Sequence, residues 1–208
     1  MELFAAKGAC SLGAHVIINE LGLPIRVTLV GLGQPRSLIH RINPLGRVPA
    51  LALGNGTVLT ENSAILPYLA DLRPGTSLFA PAGSVERAQI QSWIGYVNSE
   101  VHAGSQRPIN RPERYSANSD AHSGIRKAGL ALLKAAFEPI ERHLETREYL
   151  VGNRFTIADA YLGVFAARVF QFGDDLGHLT ALAAYSTRFE ERLSVRAARQ
   201  LEELELAA

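Results

Sequence analysis

The chain is poor in cysteine, because Cys10 is the only one among 208 residues. A single cysteine excludes an internal disulfide and any structural zinc site built on several cysteines. It is also typical of proteins that work in a reducing compartment. A lone cysteine is usually a small buried hydrophobe, so Cys10 needs a second, independent reason before it is treated as reactive.

The chain also lacks a charge of one sign and long apolar runs. Lysine and arginine number 21 and aspartate and glutamate 20, with a formal net charge of +1. That balance predicts no nucleic-acid partner. The longest apolar run, at 160–167, is too short to cross a bilayer, and the N-terminus lacks the basic start and apolar core of a signal peptide. We therefore expect a cytoplasmic protein with no membrane partner.

The first part of the chain alternates between two hydrophobic periods. Strands are predicted over 2–6 and 25–32, and the spacing of apolar residues predicts a helix over 11–22 between them. Two apolar runs within 48–61 flank a "GNG" turn signal, and the pattern over 61–72 is helical again. The predicted order is β-α-β followed by β-β-α.

After the proline- and glycine-rich stretch 73–84 the strand signal disappears. Five helical patterns follow, at 85–106, 124–146, 157–172, 179–193 and 195–206. We therefore predict an α/β domain over residues 1–76, a linker at 77–83 and an all-helical domain over 84–208.

Five short stretches carry the most specific pattern in the chain. They are "GACSLGAH" (8–15), "NPLGRVPAL" (43–51), "LTENSAI" (59–65), "SEVHAG" (99–104) and "LVGNRFTIADAYL" (150–162). In this order and with these spacings they resemble the cytosolic glutathione transferases, most of all the bacterial beta class. The resemblance covers nearly the whole chain. It implies a thioredoxin-like N-terminal domain, an all-helical C-terminal domain and glutathione as co-substrate.

The candidate catalytic residues are Cys10, Ser11 and His102. The first two lie where a strand passes into a helix, and the N–H groups of a helix N-terminus stabilise anions such as thiolates. The local pattern alone favours a packing role for Cys10 and a capping role for Ser11. The resemblance implies that Cys10 faces bound glutathione, that Ser11 donates a hydrogen bond to the glutathione thiolate, and that His102 takes part in proton transfer.

The turn before the third strand and the start of the following helix are the candidate glutathione-binding elements. The resemblance implies a cis peptide at Val48–Pro49, with the Val48 backbone pairing with the cysteinyl part of glutathione. It implies that Glu61 accepts the γ-glutamyl amine and that Asn62, in place of the usual serine, holds the γ-glutamyl carboxylate. Local pattern alone would make this pair a capped helix start with a solvated Glu61.

Three further inferences concern charge and assembly. Arg36 is the basic residue predicted to bind the glycine carboxylate of glutathione. The resemblance implies a homodimer in which Glu100 reaches the neighbouring subunit's glutathione, and the apolar face of residues 90–97 supports such a dimer. Arg168 stands where beta-class relatives often have tryptophan, which implies a more polar pocket suited to an anionic electrophile. No metal site is predicted.

Three functions remain open at this point. The first is a transferase that joins the glutathione thiolate to small, hydrophobic electrophiles. The second is a glutathione-dependent reductase or peroxidase that works through a mixed disulfide between Cys10 and glutathione. A two-cysteine mechanism is excluded because position 13 is glycine and no C-x-x-C motif exists. The third is a glutathione-binding or interaction module with little turnover.

Overall fold

The structure is a computed structural model that describes residues 1–34, 36–172 and 176–204. The N-terminal half consists of β1 (Glu2–Ala5), α1 (Leu12–Leu21), β2 (Arg26–Leu29), α2 (Ile39–Ile42), β3 (Ala50–Ala52), β4 (Val58–Thr60) and α3 (Asn62–Asp71). The predicted β-α-β and β-β-α order is confirmed, with the four-residue helix α2 as an addition that the sequence pattern did not show.

The four strands form one mixed sheet in the order β2-β1-β3-β4. Strand β1 pairs in parallel with β2, and β3 runs antiparallel to both β1 and β4. A parallel pair needs a crossover connection, which α1 supplies. Helix α1 ends at Gly22, whose φ of 55° provides the left-handed conformation that closes many helices.

The C-terminal half contains helices joined by turns and loops, with no strand among its described residues. It contains α4 (Val85–Tyr96), a π-helix (Val97–Gln106), α5 (Arg107–Asn110), α6 (His122–Leu144), α7 (Ile157–Val169), α8 (Thr180–Glu191) and α9 (Leu193–Leu204). The single helix predicted over 85–106 is therefore two segments. The second is a π-helix, a rare geometry that is often found at functional sites. Within the described ranges, none of these helices is long and apolar enough to cross a membrane.

The predicted linker at 77–83 is not a solvated spacer. Leu78, Phe79 and Ala80 are all buried, and the Leu78 carbonyl oxygen accepts a hydrogen bond of 3.0 Å from the Ile157 N–H at the start of α7. One continuous hydrophobic core extends from β1 to α9. The predicted limits therefore separate two segments of the sequence, but the two segments pack on one shared core.

The apolar face of residues 90–97 is also occupied within the chain. Ile90, Ile94 and Val97 are fully buried in the shared core. The sequence-based support for a dimer from this face is therefore wrong, because these side chains stabilise the chain's own fold. They are not available to a second subunit.

Asp159 anchors the start of α7, as its capping-box spacing from Thr156 predicts. Its Oδ2 atom accepts hydrogen bonds from the Thr156 N–H (2.9 Å) and hydroxyl (2.7 Å), and Oδ1 accepts from the Leu150 N–H (2.9 Å) and the Tyr185 hydroxyl (3.2 Å). Burial raises the pKa of this carboxyl to about 6 despite these bonds. Asp159 is thus a structural residue that holds α7, which carries part of the functional site.

Candidate functional site

A cleft of about 900 Å³ opens between the sheet half and the helical half. Its walls come from the loop before α1, the turn before β3 and the start of α3 on one side, and from the π-helix, α5 and α7 on the other. Six of the nine sequence-predicted site residues line it, namely Cys10, Val48, Pro49, Glu61, Asn62 and His102. Ser11, Arg36 and Glu100 do not.

Cys10 lies half-buried on the wall of this cleft, and its thiol donates to the Val48 carbonyl oxygen at 3.5 Å. Burial raises the pKa of the thiol to about 12, with a further contribution from the Glu61 carboxylate. Arg168 and Arg107 act in the opposite direction but more weakly. Cys10 is therefore a neutral thiol near pH 7, whereas the thiolate is the nucleophilic form of cysteine.

Ser11 is fully buried and faces away from the cleft. Its hydroxyl oxygen accepts a hydrogen bond from the Ala6 N–H (3.1 Å) and donates to the Ala6 carbonyl oxygen (3.5 Å). It makes no capping hydrogen bond to α1. The structure thus departs from both the capping role and the glutathione-binding role expected from the sequence. The hydroxyl instead binds the backbone polar groups of Ala6, just after β1, and so fixes the turn that carries Cys10.

The Val48–Pro49 peptide is cis, as the resemblance implies. The turn that leads to it is built by Asn43, which sequence reasoning missed. Asn43 Oδ1 accepts from the Leu45 N–H at 3.1 Å, and Nδ2 donates to the Arg47 carbonyl oxygen at 2.9 Å. The signal for this turn is the Asn-Pro dipeptide in "NPLG", since asparagine side chains commonly bond to their own backbone in turns.

Glu61 and Asn62 form the junction between β4 and α3. Glu61 has a φ of 67° and is the one non-glycine residue with a positive φ in the described part of the chain. Such backbone strain is concentrated at functional sites. Asn62 is buried, and its Nδ2 donates to the Cys10 carbonyl oxygen at 3.0 Å. One amide N–H of Asn62 is therefore used to bind the loop that carries Cys10, a contact that the sequence did not show.

His102 projects from the π-helix and makes a hydrogen-bonded chain with two other side chains. Its Nδ1 atom lies 2.9 Å from the Tyr161 hydroxyl oxygen, and that hydroxyl donates to Asn98 Oδ1 at 3.1 Å. A hydroxyl has one proton and an amide oxygen cannot donate. Tyr161 must therefore accept from His102 Nδ1–H, so the lone pair of the neutral imidazole is on Nε2.

The imidazole of His102 is neutral near pH 7. Burial, with smaller contributions from the guanidinium groups of Arg107, Arg47 and Arg168, lowers its pKa to about 4. The ring also packs against Phe165, with 5.1 Å between ring centroids. Burial raises the pKa of Tyr161 well above its ordinary value, so this hydroxyl keeps its proton.

Arg36 is exposed and lies outside the cleft, so the structure does not support its predicted role. Glu100 is also outside the cleft: it is exposed, accepts a hydrogen bond of 3.1 Å from the Ser99 hydroxyl, and borders a shallow surface pocket with Tyr96 and Leu132. Arg36 was misassigned because local sequence does not show which side chains the packing of distant elements brings together, whereas the role of Glu100 at the neighbouring subunit's glutathione stays a prediction.

The strongest feature that sequence reasoning missed is the positive charge of the cleft. Five arginines line it, namely Arg47, Arg107, Arg111, Arg114 and Arg168, of which only the last was singled out. The glutamates in the wall are Glu61 and Glu113. The grouping of Arg107, Arg111 and Arg114 within eight residues was a usable signal, although only Arg107 belongs to α5 and the other two follow it.

A thioredoxin-like sheet and a helical bundle that share one cleft around a thiol define the architecture of a thiol-dependent transferase. The family described as "Glutathione S-transferase, N-terminal domain" matches residues 8–72, and "Glutathione S-transferase, C-terminal domain" matches residues 114–188. Glutathione S-transferase GstA of Escherichia coli O157:H7 is 35% identical over 208 residues, covering 98% of this chain and 100% of that protein. The chain therefore belongs to the glutathione S-transferase family.

Two solved structures share the fold over almost their whole length. A bacterial beta class glutathione S-transferase from Sphingomonas chungbukensis has a TM-score of 0.87 and 32% identity, covering 98% of this chain and 100% of that one. A sphingomonad glutathione S-transferase solved in complex with glutathione has a TM-score of 0.86 and 33% identity, with the same coverage. The resemblance to the beta class is thus confirmed.

Proposed function

We propose that the protein joins the sulfur of glutathione to small electrophilic substrates in the cleft between its two halves. The observation that carries this proposal is the convergence of Cys10, Val48, Glu61 and His102, from both halves of the chain, on one cationic cleft. Glutathione is an anionic tripeptide with two carboxylates, one amine and one thiol. Each of these groups has a chemically matched partner in the wall.

Glutathione binds along the sheet side of the cleft in this proposal. The Val48 backbone pairs with its cysteinyl part, and the Glu61 carboxylate accepts its amine. The free N–H groups of the first turn of α3, at Asn62, attract the γ-glutamyl carboxylate. Arg47, next to Val48 in the wall, takes the glycine carboxylate in place of Arg36.

His102 acts as the proton acceptor for the glutathione thiol. Its neutral ring holds the lone pair on Nε2, and the Tyr161 hydroxyl fixes this tautomer. The thiol proton passes through Nε2 to solvent, because an imidazole with a pKa of about 4 does not keep it near pH 7, and the thiolate is stabilised by Arg107, which lines the same cleft. The thiolate then forms a carbon–sulfur bond with the electrophile, whose leaving group departs with its electron pair.

Cys10 acts as a neutral hydrogen-bond donor to the glutathione sulfur. Its thiol now donates to the Val48 carbonyl oxygen and can turn toward the cleft that it lines. The pKa of about 12 disfavours the reductase alternative, because mixed-disulfide chemistry needs the Cys10 thiolate. A second cysteine at position 13 would also be crowded, because a Cβ on Gly13 would lie 3.0 Å from the Ala160 carbonyl oxygen of α7.

A homodimer is the expected assembly, by membership of the family. The shallow pocket of about 200 Å³ that contains Glu100, Tyr96 and Leu132 lies on the surface and gives this dimer a candidate contact. The cytoplasm is the expected compartment, because glutathione is kept in its reduced form there. Chain mass in solution by light scattering tests the dimer directly.

Thermal unfolding with reduced glutathione tests the binding proposal. The midpoint should rise with the logarithm of glutathione concentration, with stabilisation of about 2.7 kcal/mol at a hundred times Kd. Formation of the coloured conjugate of chlorodinitrobenzene tests turnover. Stabilisation without any conjugate would favour the binding-module alternative, and no stabilisation at millimolar glutathione would exclude both enzymatic functions.

A further inference from the structure

The cleft holds more positive charge than glutathione can neutralise. Its five arginines have no ion pair with any of the described residues, whereas Lys7 in the same wall is paired with Glu203 at 2.8 Å. The acidic groups in the wall are Glu61 and Glu113. Glutathione has a net charge of about −2 as its thiolate, from two carboxylates, one ammonium and one sulfur.

The unneutralised charge lies on the wall opposite the glutathione-binding turn. Arg168 extends from the last turn of α7, where a Cβ on Gly8 would lie 4.0 Å from its Nη2 atom. That Nη2 atom is buried and has no hydrogen-bond partner among the described residues. A buried donor without a partner is destabilising, and more so when the group is charged.

Arg107 lines the same side of the cleft as Arg168. It belongs to α5, directly after the π-helix that carries His102. Arg107 and Arg168 both act electrostatically on the Cys10 thiol and on His102. Two guanidinium groups therefore line the cleft near Cys10 and His102, the residues proposed to contact the glutathione sulfur.

We propose that Arg168 and Arg107 bind the carboxylate of the second substrate, so that the preferred electrophile is a small organic acid rather than a neutral hydrophobic molecule. This inference rests on the proposed function, since it names the substrate class of the same site. Guanidinium groups suit the task because they hold carboxylates in a two-pronged geometry. The substrate carboxylate also supplies a hydrogen-bond partner for the Arg168 Nη2 atom, which has none among the described residues.

Two ring substrates that differ in one charge test this inference. The first is a chlorodinitrobenzoate with its carboxylate para to the chlorine, and the second is the corresponding neutral carboxamide. In both, the glutathione sulfur bonds to the chlorine-bearing carbon, the carbon–chlorine bond breaks and chloride leaves with the electron pair. Dividing each kcat/KM by the uncatalysed rate with glutathione removes the difference in intrinsic reactivity.

We expect the protein to prefer the carboxylate by about tenfold or more, mainly through KM. Arg168→Met should abolish most of that preference while changing the carboxamide rate less than about twofold, and Arg168→Lys should retain part of it. Arg73→Gln, a change at an exposed arginine outside the cleft, should leave both rates unchanged. Because Arg168→Met removes a half-buried charge whose Nη2 atom has no hydrogen-bond partner among the described residues, its thermal midpoint should not fall.

Equal normalised rates for the two substrates would overturn the inference. An equal loss of both rates in Arg168→Met would also overturn it, since Arg168 would then serve the glutathione thiolate alone. Competitive inhibition by dinitrobenzoate and dinitrobenzamide, which lack the chlorine, measures the same preference without turnover. If glutathione neither stabilises the protein nor forms a conjugate with either ring, the proposed function fails. The anion site is then tested by titration calorimetry with dinitrobenzoate in place of the inhibition measurement. Absence of dinitrobenzoate binding would reject the anion site as well.

Discussion

The Nδ1 atom of His102 lies 2.9 Å from the Tyr161 hydroxyl oxygen, so the π-helix and α7 each supply one member of the pair. Tyr161 donates onward to Asn98 and is therefore an acceptor toward His102. Because this bond selects the tautomer, Tyr161 acts as a positioning residue for the proton acceptor. It needs no contact with glutathione to do so.

Tyr161→Phe should lower kcat by about tenfold, since the freed imidazole can adopt the tautomer with its lone pair turned away from the cleft. The KM for glutathione should change less than kcat. Tyr68→Phe is a suitable control, because its hydroxyl makes only a contact of 3.9 Å to the Met1 sulfur. Steady-state kinetics with chlorodinitrobenzene measures both. A Tyr161→Phe protein with unchanged kcat would remove Tyr161 from the mechanism.

Cys10 should react slowly with alkylating reagents at neutral pH. With a pKa of about 12, the thiolate is a very small fraction of the total near pH 7, and its amount rises about tenfold for each pH unit. Mass spectrometry after timed exposure to iodoacetamide measures the rate. Labelling as fast as that of free cysteine would contradict the burial argument and would strengthen the mixed-disulfide alternative.

Cys10→Ala should keep most transferase activity, because His102 and the arginines remain in place. A loss of about tenfold or less is expected from removing one hydrogen-bond donor to the sulfur. The same variant should form no adduct with oxidised glutathione. A loss of activity by several orders of magnitude would mean that the Cys10 sulfur takes part in bond formation.

Asn62→Ala should weaken both stability and glutathione binding. It removes the 3.0 Å hydrogen bond from Nδ2 to the Cys10 carbonyl oxygen at a buried position, at a cost of about 1–3 kcal/mol in the free energy of unfolding. The loop that carries Cys10 then loses its hydrogen bond to α3, so the KM for glutathione should rise as well. Urea unfolding and kinetics test the two effects, and an unchanged KM would show that this hydrogen bond is structural only.

Two buried histidines should make the protein less stable in mild acid. Burial lowers the pKa of His15 and of His102 to about 4, whereas unfolded histidine titrates near its ordinary value of about 6.5. The unfolded chain therefore binds more protons between these values, and stability falls as pH drops from about 6.5 toward 4. Each histidine contributes about 1–3 kcal/mol to that loss.

The His15→Gln variant isolates one of these contributions. Asp159 has the opposite sign, because its pKa is raised to about 6 in the folded protein and its contribution is lost as pH rises through that value. Comparing the variant with the parent protein at each pH cancels Asp159 from the difference. Urea unfolding from pH about 4 to about 7 should show a shallower acid loss for the variant. Parallel curves would refute the assignment to His15.

Local sequence was sufficient to predict those features that depend on residues close together in the chain. The alternation around "GNG" predicted the β3–β4 hairpin, and the spacing of Thr156 and Asp159 predicted the start of α7. The five short stretches from "GACSLGAH" to "LVGNRFTIADAYL" also identified the family from the sequence alone. These features follow from hydrophobic period, turn residues and caps, which act over a few residues.

Tertiary structure alone decided which side chains meet in the cleft. Ser11 stands beside Cys10 in the sequence, yet its hydroxyl turns back to Ala6, while Arg47, Arg107 and Arg168 come from separate elements to one cleft. The chain by itself determined its helices, strands and family, because those depend on local backbone energetics. The charge of the site, the pKa of Cys10 and the tautomer of His102 depend on burial and on contacts between distant residues, so only the packed fold determines them.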